Sequence, residues 1–242
     1  MDPKAPPWPQ EPEALIALQE QLGRMQPEPW QFVGTVRSVA GCFVCFPTGR
    51  SGPGAAGDPG WAAAALLREG EVATVVVRGR AGAPYEPGLL ALREGPLLEA
   101  AVRALPALPD LLMVNATGRD HPRRAGLALH LGARLGVATV GVTQRPMIAT
   151  GALPEDVRGA VSPLWIGTEL VAYWVRTKQG VRPLVAHAAW RTGPDTAARV
   201  LLYLTERWRT PVPLRYARAA ARAARAREDA GGGPRISSVR TA

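Results

Sequence analysis

The segment LLMVNATGRDHPRRAGLALHLG, from Leu111 to Gly132, decides the fold of this chain. It opens with an apolar run, Leu111–Val114, which has turn-forming residues on both sides. A short apolar run between turn signals predicts a buried strand. The HPRR sequence at 121–124 leads into an apolar stretch that predicts a helix, with Pro122 in the first turn, where proline is tolerated. A strand, a polar loop and a helix in this order place a ligand-binding group at the carboxyl end of the strand, and the residue there is Asn115.

The charge of the chain indicates a polyanionic partner. The formal net charge is +9 and the sequence pI is about 10.6, values that are typical of nucleic-acid-binding proteins. Compositional drift is the alternative, because the only lysines are Lys4 and Lys178 and arginine carries the remaining positive charge. Drift explains arginine in place of lysine, but it does not explain the excess of basic over acidic residues. We therefore expect nucleic acid as the partner.

The sequence favours neither a membrane protein nor a zinc protein. It contains no run of about 18 apolar residues and no apolar core of the signal-peptide kind, so we expect a cytoplasmic protein without a membrane partner, and a monomer. Its two cysteines, Cys42 and Cys45, lie in an apparent strand, where a spacing of three directs them to opposite faces. With no second pair and no histidine nearby, buried thiols are a better interpretation than zinc ligands.

The rest of the chain predicts an α/β domain. We expect a loose, proline-rich N-terminus at 1–12, one domain at 13–228 and a disordered tail at 229–242. Early strands followed by alternating strands and helices predict a mixed sheet that is covered on both faces. In the first half of the chain we predict a helix at Glu13–Met25, a strand at Thr35–Phe46, a hairpin of Ala62–Leu67 and Val72–Arg78, and a helix at Leu89–Leu105 that is interrupted near Gly95-Pro96. In the second half we predict a strand at Ala138–Thr143, two or three strands between Leu164 and Ala189, and a helix at Pro194–Trp208. After a break at Pro211 and Pro213, a last helix is predicted at Arg215–Glu228. By composition alone, the alanine-rich limb of the hairpin would favour a helix.

Three motifs, in order, carry a resemblance to a known family. They are PYEPGLLALREGP at 84–96, HPRRAGLALHLG at 121–132, and GVT at 141–143, which continues as Gln144. They resemble the PYxPGxLxFREGP, HPRRxGxAxHxG and GV(A/T)K motifs of the endonuclease V family, whose members nick DNA beside deaminated adenine. The resemblance covers roughly Leu15 to Arg218. It implies a ribonuclease H-like three-layer α/β fold, with a mixed central sheet and helices on both faces, and it implies a strand for the alanine-rich limb.

The resemblance also implies a Mg²⁺ site, which this chain lacks in part. The family has an Asp in the first strand, a Glu in the REGP turn, an Asp at the end of the strand that corresponds to Leu111–Val114, and a His or Asp on the last helix. These positions fall here on Phe43, Glu94, Asn115 and Arg218. Mg²⁺ prefers carboxylate oxygen and water, so a phenyl ring, an uncharged amide and a fixed positive charge are unsuitable replacements. We predict that the site does not hold Mg²⁺ and that the protein has no cofactor.

Two other acidic residues could restore a metal site. Asp58 follows the first strand and Asp120 lies beside His121, so either could be a displaced ligand. The alternative interpretation of Asp120 is an acid at a helix N-terminus, where the helix dipole favours negative charge.

The parts that handle nucleic acid in the family match better. Tyr85 matches the wedge residue that fills the gap left by an extruded base; the alternative is a loop tyrosine packed on the sheet. The main chain at Gly88 and Leu90 matches the family's hypoxanthine pocket, although Ala116 replaces a glycine there. Gln144 replaces a lysine near the scissile phosphate. The nucleic-acid-binding residues predicted from the resemblance are Tyr85, Pro87, Gly88, Leu90, His121, Arg123, Arg124 and Gln144; for the HPRR residues among them, capping and packing is the alternative role.

The last predicted helix has an arginine stripe, which we define as Arg215, Arg218, Arg222 and Arg225. Their spacing of three, four and three residues places them on one face of the helix. A solvated arginine face is the ordinary interpretation of such a pattern. Because Arg218 falls on a metal-ligand position, the stripe could instead bind phosphate without a metal.

These observations predict an endonuclease V-like, nucleic-acid-binding member of a DNA-repair nuclease family, with lost or strongly reduced phosphodiesterase activity. The expected partner is duplex DNA with a damaged base. One alternative is an active Mg²⁺-dependent endonuclease that nicks DNA or RNA 3′ to inosine. The other is a protein-interaction module on the same fold.

Overall fold

A computed structural model describes residues 7–32, 36–49 and 51–231, together with the backbone of 239–241. The predicted start of the first strand at Thr35 and most of the predicted tail lie outside these residues. The elements are α1 (Pro12–Arg24), β1 (Ser38–Cys45), β2 (Pro59–Arg68), β3 (Glu71–Arg80), α2 (Leu90–Arg103), β4 (Leu111–Val114), α3 (Leu127–Leu135), β5 (Ala138–Thr143), β6 (Val161–Ile166), β7 (Glu169–Val175), β8 (Leu184–Ala188), α4 (Pro194–Tyr203), α5 (Val212–Asp229) and β9 (Val239–Thr241).

The strands form one mixed sheet in the order β6-β7-β8-β5-β4-β1-β2-β3-β9. The central strands β1, β4 and β5 run parallel, and the other pairs are antiparallel. All four residues of β4 are buried, as expected of a central strand covered on both faces. The predicted buried strand at Leu111–Val114 is therefore confirmed.

Helices cover both faces of the sheet. Residues of α1, α2 and α3 share one core cluster with Cys42 of β1, whereas Cys45 packs on the other face with α5. The helix α4 packs on that second face against β7 and β8. This three-layer α/β architecture agrees with the sequence prediction. The two cysteines also agree, because both are buried free thiols that lie on opposite faces of the sheet.

The alanine-rich limb is a strand, as the resemblance implied and against its composition. Residues 62–65 are fully buried and pair with β1 on one side and β3 on the other. Ala62 and Ala64 pack under α2, and Ala63 and Ala65 pack under α5. Small side chains let both helices approach the sheet closely, so burial overrides the local helix preference of alanine.

The predicted interruption of α2 at Gly95-Pro96 is wrong, because the helix runs through Pro96. Proline has no N–H, so the carbonyl of Leu92 loses its intrahelical donor. Gly82 packs against that carbonyl so closely that a Cβ would lie 2.2 Å from the oxygen, and its N–H donates to the next carbonyl, that of Arg93, over 3.3 Å. A neighbouring loop thus supports the helix at its proline.

The predicted position of Pro122 in the first turn of a helix is also wrong. The helix α3 begins at Leu127, and HPRR lies in a loop in which Arg124 has a φ of 57°. The loop folds back on itself: the N–H of Gly126 donates to Gly118 and that of Ala128 to Thr117, over 2.8 and 3.0 Å. These contacts delay the start of the helix.

Two boundaries near the C-terminal helices differ from the predictions. The helix α4 ends at Tyr203, earlier than the predicted end at Trp208. Pro213 lies in the first turn of α5, which begins at Val212, and therefore does not break that helix.

Described residues near both ends of the chain contact the domain, and the loose N-terminus and the disordered tail stay predictions. The indole N–H of Trp8 donates to the Glu99 carboxylate, and its ring lies 4.4 Å from that of His130. Asp229 belongs to α5, and the backbone of Val239–Thr241 pairs with β3. No helix in the described part of the chain combines the length and the hydropathy that a membrane span requires.

Candidate nucleic-acid site

The four positions for which the family resemblance implies metal ligands converge at one edge of the sheet. Cys42 of β1 pairs with Val114 of β4, so the next residues, Phe43 and Asn115, lie side by side where the parallel strands end. Glu94 approaches this edge from α2 and Arg218 from α5, on the opposite face. Phe43, Glu94 and Asn115 border a small cavity of about 140 Å³. Its walls are Cys42, Phe43, Val44, Tyr85, Leu90, Glu94, Leu98 and Asn115.

Arg218 contacts two of the other three positions. Its Nη2 donates to Oδ1 of Asn115 over 3.2 Å, and its guanidinium carbon lies 5.0 Å above the ring of Phe43. Arg222 lies above the same ring at 6.0 Å. Burial, and then the charges of Arg222 and Arg209, lower the pKa of Arg218. The positive charge that contacts Asn115 and Phe43 is therefore the guanidinium group of Arg218.

Glu94 is the only carboxylate in the wall of the small cavity. Burial raises its pKa to about 7, although the positive charge of Arg93 acts in the opposite direction. Burial, with a smaller contribution from the charge of Glu94, also raises the pKa of the Cys42 thiol. Near neutral pH, Glu94 is thus a partly protonated group and Cys42 an inert one.

A Mg²⁺ ion does not fit this set of residues. One carboxylate and one amide oxygen remain, and the amide oxygen already accepts a hydrogen bond from a cation. Within the described residues, no cluster of three or more His, Cys, Asp or Glu side chains could hold a metal. A hard divalent ion would lack both ligands and negative charge here.

Neither of the two other acidic residues compensates. Asp58 is buried, pairs with Arg93 over 3.3 Å and accepts the N–H of Ala55. Asp120 is fully buried, and its two oxygens accept the backbone N–H groups of residues 147, 148 and 149 over 2.7 to 3.0 Å. Its alternative interpretation as a helix N-terminal acid is wrong as well, because α3 begins seven residues later.

A larger cavity of about 290 Å³ adjoins the small one. Tyr85, Leu90 and Asn115 border both cavities, and the side chain of Tyr85 is 50% exposed, so it is not packed into the sheet. One wall comes from the loop at 85–88 and the start of α2, and another from the loops that follow β4 and β5. Of the predicted binding residues, Tyr85, Pro87, Gly88, Leu90 and His121 border this cavity; Ala116 does so too, whereas the exposed Gln144 does not.

One backbone carbonyl holds the cavity wall in place. Gly88 has a φ of +85°, a conformation that glycine adopts readily. Its carbonyl accepts hydrogen bonds from Gln19 Nε2 and Arg123 Nη2, each over 3.0 Å, and lies 3.1 Å from His121 Nε2. The loop is therefore fixed before any ligand arrives.

These contacts favour the packing role of the HPRR residues over contact with phosphate. Arg123 also donates to Gln19 Oε1 over 2.7 Å, and Arg124 pairs with Glu169 over 2.6 Å. Burial lowers the pKa of His121 to about 4, so this side chain is neutral at pH 7.

The arginine stripe divides into different environments. Arg215 stacks on Trp208 with its guanidinium carbon 3.8 Å from the ring centre. Arg225 donates to the carbonyl of Phe46 over 3.1 Å and lies 4.0 Å from Asp229. Only Arg218 and Arg222 point toward Phe43, so the stripe is not a uniformly solvated face.

Sequence reasoning missed a buried connection behind the larger cavity. The hydroxyl of Thr143 donates to the carbonyl of Arg145 over 2.6 Å and lies 2.7 Å from His187 Nε2. His187 Nδ1 in turn lies 3.5 Å from the Asp120 carboxylate, and burial lowers the pKa of this histidine to about 4. Because Asp120 also binds residues 147–149, the connection fixes the cavity wall formed by Arg145, Pro146 and Met147. His187 belongs to no motif in its short strand, so the sequence pattern does not indicate that it has a structural role.

The fold, with its cleft at the carboxyl edge of the parallel strands, places this chain among proteins of the ribonuclease H-like fold. The endonuclease V family model matches residues 20–219. The chain therefore belongs to the endonuclease V family, as its motifs predicted.

Individual relatives agree with this assignment. An endonuclease V from Streptomyces coelicolor is 40% identical over 222 residues, which cover 90% of this chain and 92% of the relative. The crystal structure of the Streptomyces avermitilis endonuclease V has a TM-score of 0.80 and 35% identity, and the match covers 93% of this chain and 96% of that one. A Ciona intestinalis endonuclease V shares the fold with a TM-score of 0.71 at 20% identity, over 87% of this chain and 96% of that one. Its structure is a complex with a 24mer DNA that contains an inosine followed by a ribo-adenosine.

Proposed function

We propose that this endonuclease V-like protein binds nucleic acid at the two adjoining cavities and has lost, or strongly reduced, metal-dependent phosphodiesterase activity. The observation that carries this proposal is the 3.2 Å hydrogen bond between Arg218 and Asn115. A guanidinium and an amide form this contact where the family resemblance implies two metal ligands. Binding of nucleic acid needs positive charge at this edge, whereas cleavage needs a metal ion that these residues do not favour.

The larger cavity supports binding of an extruded base. Its volume of about 290 Å³ exceeds that of a purine ring system, and a half-exposed aromatic ring, that of Tyr85, stands at the rim. An enzyme or binding protein that takes a base out of a duplex needs such a pocket and a side chain that fills the gap. We propose duplex DNA with a deaminated base as the ligand, by analogy with the inosine-containing DNA bound to the Ciona intestinalis protein.

The guanidinium of Arg218 supports binding of phosphate beside that base. Its Nη2 binds Asn115, and its buried Nε has no hydrogen-bond partner within the described residues, so the protein does not satisfy the guanidinium fully. A planar guanidinium binds phosphate oxygens in a bidentate manner without a metal. The net charge of +9 adds a long-range attraction for polyanions.

An inosine-containing duplex tests both parts of the proposal. We expect the purified protein to bind this duplex in a salt-dependent way, and to leave it intact in the presence of Mg²⁺ or Mn²⁺. Metal-dependent nicking 3′ to the inosine, lost in Glu94→Gln, would establish the alternative of an active endonuclease at the inherited site. Absence of binding at low salt would instead favour the interaction-module alternative.

A further inference from the structure

A second feature of α5 extends the proposed nucleic-acid site and rests on it. We propose that Trp208 and Arg215 form a stacking platform for an unpaired base, so that the protein holds a single-stranded segment of nucleic acid next to the Arg218–Asn115 contact. We call Trp208 together with Arg215 the platform. The proposed ligand is a single strand of nucleic acid that continues from the cleft.

The topology places the platform at the same edge of the sheet as the cleft. The strand β7 is antiparallel to β8, which is antiparallel to β5, so β7 ends at the edge where Asn115 lies. Thr177 follows the end of β7, and its hydroxyl donates to the carbonyl of Arg209 over 2.8 Å. This bond holds the segment that contains Trp208 at that edge.

The platform is one helical turn from the Arg218–Asn115 contact. Arg215 and Arg218 are three residues apart on α5, a separation of about 4.5 Å along the helix axis. This distance is of the same order as the axial rise of about 3.4 Å per nucleotide in a duplex, and an unpaired strand is not held to that spacing. A strand with a phosphate at Arg218 therefore has its next nucleotide within reach of Trp208.

The chemistry of the platform suits an unpaired base. The side chain of Trp208 is 49% exposed, although tryptophan is usually well buried, and Arg215 lies over its ring at 3.8 Å. Proteins that bind single strands combine aromatic rings with cationic groups, because every base has a face that can stack. A base inside a duplex stacks on its neighbours and does not offer that face.

The charge around the platform agrees with a polyanionic ligand. Arg209 is close enough to Arg218 to lower its pKa, after the larger effects of burial and Arg222. The ion pairs described for α5 involve Arg225 and Glu228, which leaves Arg215, Arg218 and Arg222 without a carboxylate partner among the described residues. Glu206, which is exposed, is the nearest acidic residue along the chain. Positive charge without a partner favours a nucleic-acid strand over a protein with an ordinary mixed surface.

Three ligands that contain the same inosine site test this proposal by fluorescence anisotropy: a blunt duplex, a duplex with a single-stranded flank, and a single strand. We expect Trp208→Ala to weaken binding of the flanked and single-stranded ligands by about fivefold or more, since stacking on an aromatic residue contributes that much per base. Binding of the blunt duplex should change by less than about twofold, and Trp208→Phe should retain most of the affinity for single strands.

Trp165→Ala is the matched control. Trp165 is 40% exposed, but it lies on β6, at the far end of the sheet from α5. Equal losses for all three ligands in Trp208→Ala, or an unchanged affinity for the single strand, would overturn the platform while leaving the proposed function intact. If the wild-type protein binds none of the three ligands, both proposals fail. Capture of a protein partner that depends on Trp208, without any effect on nucleic-acid binding, would also overturn the platform.

Discussion

Arg218 and Asn115 are 103 residues apart in the sequence and are joined by a hydrogen bond of 3.2 Å from guanidinium Nη2 to amide Oδ1. The bond links α5 to the end of β4 across the edge of the sheet. The two residues are chemically compatible, because an uncharged amide oxygen accepts a hydrogen bond from a guanidinium and, without a negative charge, does not attract a metal ion. The two replacements therefore form a pair, and changing one of them alone should not recreate a metal site.

The first prediction concerns metal binding. The triple variant Phe43→Asp, Asn115→Asp, Arg218→His should bind Mn²⁺, measured by titration calorimetry, whereas the wild-type protein should not. Asn115→Asp alone is the control: its new carboxylate should pair with Arg218 and leave Mn²⁺ unbound. The triple variant should also be less stable, since new carboxylates at a partly buried site must be desolvated. Equal Mn²⁺ affinity of the wild-type and triple-variant proteins would contradict this prediction.

The second prediction concerns the salt dependence of DNA binding. Arg218→Ala should weaken binding of an inosine-containing duplex and reduce the slope of log K against log salt by about one unit, because each phosphate contact contributes about −0.9 to that slope. Arg227, which is exposed and lies outside the arginine stripe, provides the control. If Arg227→Ala has the same effect as Arg218→Ala, the contribution of Arg218 is only that of a general basic surface.

The third prediction concerns Tyr85 at the rim of both cavities. Tyr85→Ala should reduce the preference for the inosine-containing duplex over an undamaged duplex by about tenfold, because an aromatic ring that stacks with bases contributes about 1–3 kcal/mol. Tyr85→Phe, which keeps the ring and removes only the hydroxyl, should keep the preference. Fluorescence of 2-aminopurine placed beside the inosine measures whether the base is extruded. A preference that survives in Tyr85→Ala would show that the ring does not act as a wedge.

The fourth prediction concerns stability at low pH. His130 is buried against Trp8, and neither ring nitrogen has a hydrogen-bond partner among the described residues. Burial, and then the charge of Arg134, lower its pKa from 6.5 to about 4. Below pH 6.5 the unfolded chain therefore binds a proton that the folded protein excludes, so the free energy of unfolding falls as the pH falls toward 4.

His130→Leu should remove this part of the pH dependence. Between pH 6.5 and 5 the contribution of one such group is about 1.5 kcal/mol, because the slope rises from half of 1.36 kcal/mol per pH unit at the unfolded pKa toward the full value below it. Urea unfolding at both pH values should show a smaller decrease for the variant than for the wild-type protein. The contributions of His121, His187 and Glu94 are present in both proteins and cancel in this comparison. An identical decrease in the two proteins would contradict this prediction, because it would mean that folding does not change the pKa of His130.

The fifth prediction concerns the buried Asp120. Asp120→Ala leaves three backbone N–H groups without their acceptor, and it should lower the free energy of unfolding by about 3 kcal/mol or more. Asp120→Asn, which keeps one oxygen, should lie between this variant and the wild-type protein. Asp156 is the control, because it is an exposed acid that accepts a backbone N–H from Gly180. Denaturation midpoints for Asp120→Ala and Asp156→Ala that are equally close to that of the wild-type protein would contradict the anchoring role of Asp120.

The sequence could predict features that depend on neighbouring residues or on a motif. The apolar run at Leu111–Val114 and the helix at Glu13–Met25 follow from local periodicity and turn residues, whereas the strand in the alanine-rich limb of the hairpin followed from the resemblance. The motifs at 84–96 and 121–132 predicted the family, the three-layer fold and the location of Glu94 and Asn115 in one cleft. The resemblance also implied that three of the four metal-ligand positions are replaced, which stays a prediction.

Only the tertiary structure decided which contacts the residues at those positions make. Alanines at 62–65 form a strand because two helices cover them, and α2 runs through Pro96 because Gly82 packs against an unbonded carbonyl. The Arg218–Asn115 bond, the commitment of Asp120 to a loop and the Trp208 platform all join residues from separate elements. Sequence patterns report the faces of single helices and strands, whereas these contacts depend on how those elements pack, which no local pattern encodes.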